Sequence, residues 1–237
     1  MDVQSRFLAL ALVLFGALSA GSSPAAYAAD DEYNFNWLDP DKKIYVLQNR
    51  KYLKSKKVLL SALGGFGMSN PYRDVKNADV RLGYYFHEDW GIEAFGQFYS
   101  NSSNATMDAL KIISSTSLPI VREIQSNVGL LFQWSPWYSK INVFNSILYF
   151  DWYFSAGIGS MRTQLDINRN VNNAPDLVTE NLTPILVGTG HQFHVSQNFV
   201  VRLDFMGAFY SAKLLGTSGD SRWYSNYTFN IGAGFRL

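Results

Sequence analysis

The sequence predicts an all-β protein, an antiparallel transmembrane β-barrel of about eight strands with a short N-terminal lead-in. Three observations predict it. Apolar and polar residues alternate with period two through most of the chain. The composition is rich in rings and poor in charge, with 16% aromatic and 16% charged residues, where soluble domains carry roughly 25% charged residues. After the first segment, no apolar run reaches the ~18 residues of a membrane-crossing helix.

The first segment reads as an export address. Arg6 gives the positive flank, Phe7 to Ala20 the apolar core and Ala26-Tyr27-Ala28 a small-x-small cleavage pattern, so residues 1–28 are expected to be a signal peptide cut after Ala28. Its apolar core would span only about 21 Å as a helix, short of the ~30 Å hydrocarbon layer. Residues 29–56 are polar and are expected to form a periplasmic lead-in. They open with Asp30, Asp31 and Glu32, and the basic cluster Arg50, Lys51, Lys54, Lys56 and Lys57 lies at their end. Ile44, Leu47 and Lys51 fall at helical spacing, which predicts a short helix over 42–53. The basic cluster is expected either to face solvent or to contact anionic headgroups or cell wall.

Residues 57–237 form the barrel. Successive side chains of a strand point to opposite faces. On this rule Ala78, Val80, Leu82, Tyr84 and Phe86 share one face, and Asp79, Arg81, Gly83 and Tyr85 the other. The same period sets Ile124, Val128, Leu130, Phe132 and Trp134 against Gln125, Asn127 and Gln133. It sets Phe199, Val201, Leu203, Phe205 and Phe209 against Arg202 and Asp204. The last run alternates Tyr227, Phe229, Ile231, Ala233, Phe235 and Leu237 with Thr228, Asn230, Gly232, Gly234 and Arg236. Eight segments are read in this way: 57–69, 77–87, 91–101, 122–134, 151–163, 181–194, 199–211 and 222–237. Each meets the ~9–11 residues that a tilted spanning strand needs. Alternation also builds soluble barrels whose apolar side faces inward, so the period alone does not choose between them.

The connections orient the barrel. The tight turns 87–89 and 196–198 fit the periplasmic side, and the long polar stretches 102–121 and 164–180 fit the outside. Ser135 to Phe150 departs from this, being long where a short turn is due and carrying Ile141, Val143, Phe144, Ile147 and Leu148. A small amphipathic contact element is expected there. With Trp90, Trp134, Trp137 and Trp152, it forms an expected periplasmic aromatic rim.

Eight strands leave an interior just wide enough to be filled by side chains. Asp79, Arg81, Glu93, Arg202, Asp204 and Arg236 are therefore expected to form a charge network in the lumen, where each ion needs a partner. The net charge of +1 gives no reason to expect a nucleic acid partner, and a chain without cysteine has no disulfide and no thiolate metal site. Catalytic and cofactor signatures are thin. His191 and His194 are three apart and fall on opposite faces of a strand, and His87 sits beside Glu88 and Asp89 in a turn. Gly64-Gly65-Phe66-Gly67 has no following Lys-Ser/Thr, so its glycines are read as relief of crowding in a curved strand. No cofactor and no metal is expected.

The terminal run Asn230-Ile-Gly-Ala-Gly-Phe-Arg-Leu237 resembles the signal by which the bacterial outer-membrane assembly machinery recognises the last strand of its substrates; Asn230, Gly232, Phe235 and Leu237 carry the likeness. Val46–Tyr52, Tyr84–Glu93, Tyr138–Lys140 and Tyr149–Gly159 resemble the outer-membrane β-barrel domain family common in delta-proteobacteria. The resemblance implies a small barrel of the OmpA type in the outer membrane of a Gram-negative bacterium, with no catalytic residues to carry over. The function expected is a non-enzymatic envelope scaffold or lipid-organising barrel. Its expected partners are membrane lipid, the assembly machinery during biogenesis and, as a candidate, further copies of the chain. The rival expectations are a narrow channel and a lipid-modifying enzyme using His87.

Overall fold

A computed structural model describes residues 50–114, 116–143, 146–213 and 220–237. The expected signal peptide, most of the lead-in and its expected helix, and Phe144 lie outside the described residues. The described part of the lead-in, Arg50 to Lys56, contains no helical turn.

The strands are β1 (Lys57–Gly67), β2 (Arg73–Tyr85), β3 (Trp90–Ser103), β4 (Arg122–Val143), β5 (Ser146–Asp166), β6 (Leu177–Leu182), β7 (Ile185–His194), β8 (Phe199–Lys213) and β9 (Ser221–Arg236). Among the described residues one helix, α1 (Ala105–Ile113), sits in the connection after β3. It starts where the Asn104 side chain accepts from the Met107 N–H. All pairing is antiparallel, and it closes on itself through β1–β9. Both β6 and β7 pair with β5, so they occupy one position in the ring, interrupted at Thr183-Pro184. The ring therefore has eight positions.

The pairing register fixes the barrel's shape. Partners run from Lys57 to Tyr85, Gly91, Gln133, Ser155, Gly188, Met206 and Thr228, and return to β1 at Gly67, ten residues beyond the start. For eight strands that stagger gives a tilt of about 42° and a wall about 8 Å from the axis.

The faces are the reverse of a soluble barrel's. On β4, Leu130 is 63% exposed while its neighbour Leu131 is 1% exposed. Val80, Leu82, Ile92, Phe98, Ile158, Ile185 and Ile231 are likewise exposed, whereas Asp79, Arg81, Glu93, Arg202 and Asp204 are buried. Outward apolar rows of eight to ten residues rise about 20–25 Å along tilted strands, the height of the lipid-facing band of membrane barrels. A continuous apolar belt of that size has no counterpart on soluble monomers. The interior is mixed rather than purely polar. Phe95, Leu131, Leu186, Met206 and Ala208 pack in one layer, and Leu59, Tyr85 and Val200 in another nearer the end at which β1 begins.

Two bulges correct the expected pattern. A register shift at Gln125 turns Ile124 inward, where it packs with Met161, Tyr210 and Ala212 instead of sharing the outer face of Val128. A second shift at Ser135-Pro136 reverses the alternation below Trp134. The expected amphipathic element over 135–150 is in fact the continuation of β4 and β5 as a paired hairpin, with Trp137 opposite Trp152 and Ile141 opposite Leu148. An extra residue on one strand keeps the ladder going while moving the following side chains to the other face, and proline suits such a site because it has no N–H to donate.

Candidate functional site

The lumen is filled by two polar layers. At mid-height the Arg81 guanidinium grips both oxygens of Asp204 at 2.8 and 3.0 Å and lies 2.7 Å from Asp79. Arg202 holds Glu93 with two hydrogen bonds of 2.6 and 3.1 Å. The Tyr153 hydroxyl joins the two pairs, donating to Asp204 at 2.8 Å and accepting from Arg202 at 3.1 Å. Gln97 donates to Asp79 at 3.0 Å and carries the network on to Tyr99. Planar guanidinium forks facing carboxylates are the strong, oriented form of this contact.

The second layer closes the mouth of the barrel at the end where the lead-in enters β1. Lys54 reaches in from the lead-in and lies 2.9 Å from Asp151. His194 Nε2 is 2.8 Å from the same carboxylate, and Arg236 donates to His194 Nδ1 at 3.0 Å. Because arginine only donates, His194 is the neutral tautomer with its proton on Nε2, aimed at Asp151. Burial pushes the Lys54 ammonium below its ordinary pKa of 10.5, and Asp151 opposes that push. Arg50 anchors the lead-in on Asp89, the Glu88 carboxylate accepts from the Lys54 and Ser55 N–H groups, and Tyr52 stacks on His194. Lys56, at φ 60°, makes the turn that sends the chain back into β1.

The buried charges balance. Among the described residues the buried cations are Lys54, Arg81, Arg202 and Arg236, and the buried anions are Asp79, Glu93, Asp151 and Asp204. The mid-height layer alone holds one carboxylate too many, and the mouth layer one cation too many. The sequence reading named Asp79, Arg81, Glu93, Arg202 and Asp204 of the first layer; it did not name Tyr153 or Gln97 there, nor Lys54, Asp151 and His194 in the second. Both readings of the basic cluster fail at Lys54, which faces neither solvent nor headgroups. Arg236 is buried as expected, but it bonds His194 and backbone carbonyls rather than a carboxylate. The one available signal was Asp151, an acid on the inward side of an otherwise apolar run.

The outer wall carries the aromatic rim. Trp90 stacks on Trp134 at 5.5 Å, Trp134 meets Phe154 at 6.1 Å, and Trp137 and Trp152 lie 5.1 Å apart. The chain of rings continues through His191 to Phe150 and Phe193. The structure thus brings the four tryptophans of the sequence reading into one band on β3, β4, β5 and β7. Ile141, Val143 and Leu148 follow below it on the hairpin, and Ile147 is on its opposite face. His191 faces out and His194 in; His87 is exposed in its turn. Among the described residues no three His, Asp or Glu side chains converge on a metal-sized site. At the outer end Ile124, Tyr210 and Tyr224 floor a cleft of about 230 Å³, with Arg122 over the Tyr224 ring.

The terminal residues sit at the seam. Asn230 points inward and accepts from Asn77 at 2.6 Å, while Phe235 and Leu237 face outward. A side chain on Gly232 would run into the Ala62 carbonyl and the Leu63 backbone of β1.

No family model matches the chain, and no curated protein matches it. Among solved structures it is similar to the N-terminal β-barrel domain of OprF from Pseudomonas aeruginosa, at 14% identity and TM-score 0.48, covering 77% of this chain and 98% of that one. It is similar to OprG from the same organism, at 11% identity and TM-score 0.45, covering 80% and 99%. It is also similar to Neisserial surface protein A, at 12% identity and TM-score 0.44, covering 76% and 95%. Similarity of this degree lends none of their roles. The chain is an eight-stranded antiparallel barrel with an outer wall of membrane-spanning type, a statement that stands on its own belt and register.

Proposed function

We propose that the protein is a sealed, non-enzymatic barrel of the Gram-negative outer membrane that serves the envelope as a scaffold organising lipid around its periplasmic rim. One observation carries the reading: the lumen is closed at two levels by paired ions, and the second closure is made by Lys54 from outside the barrel. A barrel so filled has only its surfaces left to work with. The ring-lined rim on β3, β4, β5 and β7 supplies the lipid-facing surface, since amphipathic rings settle at the headgroup level. The export-type first segment and the terminal run's likeness to assembly-machinery substrates support the outer membrane as its place.

The test is planar-bilayer recording of the purified, refolded protein. The proposal expects a silent membrane at protein levels where an open barrel gives unitary steps. Reproducible unitary conductance overturns it in favour of a narrow channel.

A further inference from the structure

Three features beyond the mid-height network invite a role: the outer cleft, the mouth cluster around Asp151, and the hairpin of β4 and β5 that runs past the rim. The hairpin carries the furthest. Four residues of tilted strand take Ile141 about 10 Å below Trp137, and Val143 lies lower still. Among the described strands it is here that the wall continues beyond the level at which β7 ends in His194 and the tight turn to β8 begins.

The two faces of the hairpin differ in chemistry. The lead-in covers the upper part of its inner face, where Tyr149 meets Tyr52 at 5.6 Å, Tyr138 stacks on Tyr149 at 5.8 Å and Arg50 lies over Tyr138 at 5.4 Å; lower down, that face carries the exposed Lys140, Asn142 and Ile147. Among the described residues nothing packs over its outer face, where Ile141 is 42% and Trp137 51% exposed and Leu148 is half-buried. Because the bulge at Ser135-Pro136 resets the alternation, Trp137 and Ile141 stand on the same side of the sheet as Trp134 and Phe132. The outer face of the hairpin is therefore a downward extension of the lipid-facing belt, with no polar break wider than Ser139 on β4.

We propose that this outer face, centred on Ile141 and Leu148, is a lipid-contact foot covered by the periplasmic leaflet of the bilayer. The occupant follows from continuity: the surface it extends is the belt already facing acyl chains. The headgroup region adds only about 6 Å per side to the hydrocarbon core. A foot reaching about 10 Å below the tryptophans therefore makes the belt taller here than on the β1–β9 side. A span of uneven height is accommodated by leaning the barrel or thickening the leaflet locally, and this is how a sealed barrel would order lipid on one flank. The inference rests on the scaffold reading above and names its site of contact.

The chain has no cysteine, so single cysteines carrying a bimane label report one position each. Labels at Ile141, Leu148, Leu130 and Gln197 are compared in phospholipid vesicles with and without brominated acyl chains. Strong quenching at Leu130, Ile141 and Leu148, at least twofold over that at Gln197 in the neighbouring tight turn between β7 and β8, is the expected result. Quenching at Leu130 with water-like emission at Ile141 and Leu148 overturns the foot and leaves the spanning barrel intact. Absence of quenching at Leu130 as well overturns both. Protection at Ile141 that fades as vesicles are diluted to one chain each assigns the face to a second copy and also overturns the foot. Folding of each variant is confirmed by its heat-modifiable electrophoretic mobility.

Discussion

Replacing Lys54 by alanine is expected to lower the stability of the folded barrel by about 3–5 kcal/mol, the cost of leaving one buried ion without its partner. Asp151 would remain in the mouth with only the neutral His194 and a lumen short of one positive charge. The asymmetry is the diagnostic part. Lys54→Met combined with Asp151→Asn removes both ions, and since a buried pair is often no better than neutral groups of similar volume, the double variant is expected to recover most of the loss. Urea unfolding in vesicles, read by tryptophan emission, measures all of these. A single variant as stable as the parent would show that the lead-in does not seal the mouth. The pH dependence has a definite sign. Burial holds Lys54 below 10.5 when folded, so between that lowered value and 10.5 the unfolded chain holds a proton that the folded chain has released. Stability from this group therefore rises with pH across that window, and the Lys54→Met chain loses that rise.

The second large effect is expected at the seam. Gly232→Val places a branched side chain where even a Cβ would meet the Ala62 carbonyl and the Leu63 backbone. Those atoms belong to β1, the strand that closes the ring, and Gly65 on β1 is equally tight against Phe229 and Asn230. Backbone cannot rotate aside as a side chain can, so the strands must part. A loss of about 3 kcal/mol, at the upper end of the usual range for overpacking, is expected, together with loss of the compact form on unheated gels. Ala233→Val, one residue along and facing outward, is the control and is expected to fold normally. Equal folding of the two variants would mean that the seam is looser than its register implies.

These cases also show what the sequence made legible. Asp79, Arg81, Arg202 and Asp204 were readable because each sits at the polar beat of a two-residue rhythm, and the rhythm is a direct consequence of strand geometry. Ile124 was assigned to the wrong face because a bulge adds a residue without changing composition, and a single extra residue inverts every later assignment. The same cause hid the hairpin: beyond Ser135-Pro136 the alternation resumes out of phase, so a continuous strand reads as a break followed by a separate apolar element. Lys54 was illegible for another reason. Its partner Asp151 lies on a strand almost a hundred positions away, and no local pattern in a polar lead-in distinguishes a lysine that turns into a lumen from one that faces water. Gly232 was singled out for its likeness to an assembly signal; its close approach to β1 became visible only with the register of closure.

The central claim is that the outer wall faces acyl chains while ions and amides are enclosed. Nitroxide labels on single cysteines at Val128, Leu130, Leu131 and Phe132, read in phospholipid vesicles for collisions with dissolved oxygen and with a water-soluble nickel chelate, test it most directly. The account predicts high oxygen and negligible nickel access at Val128, Leu130 and Phe132, and low access to both at Leu131. Nickel access at Leu130 comparable to that of a label in solution would contradict it.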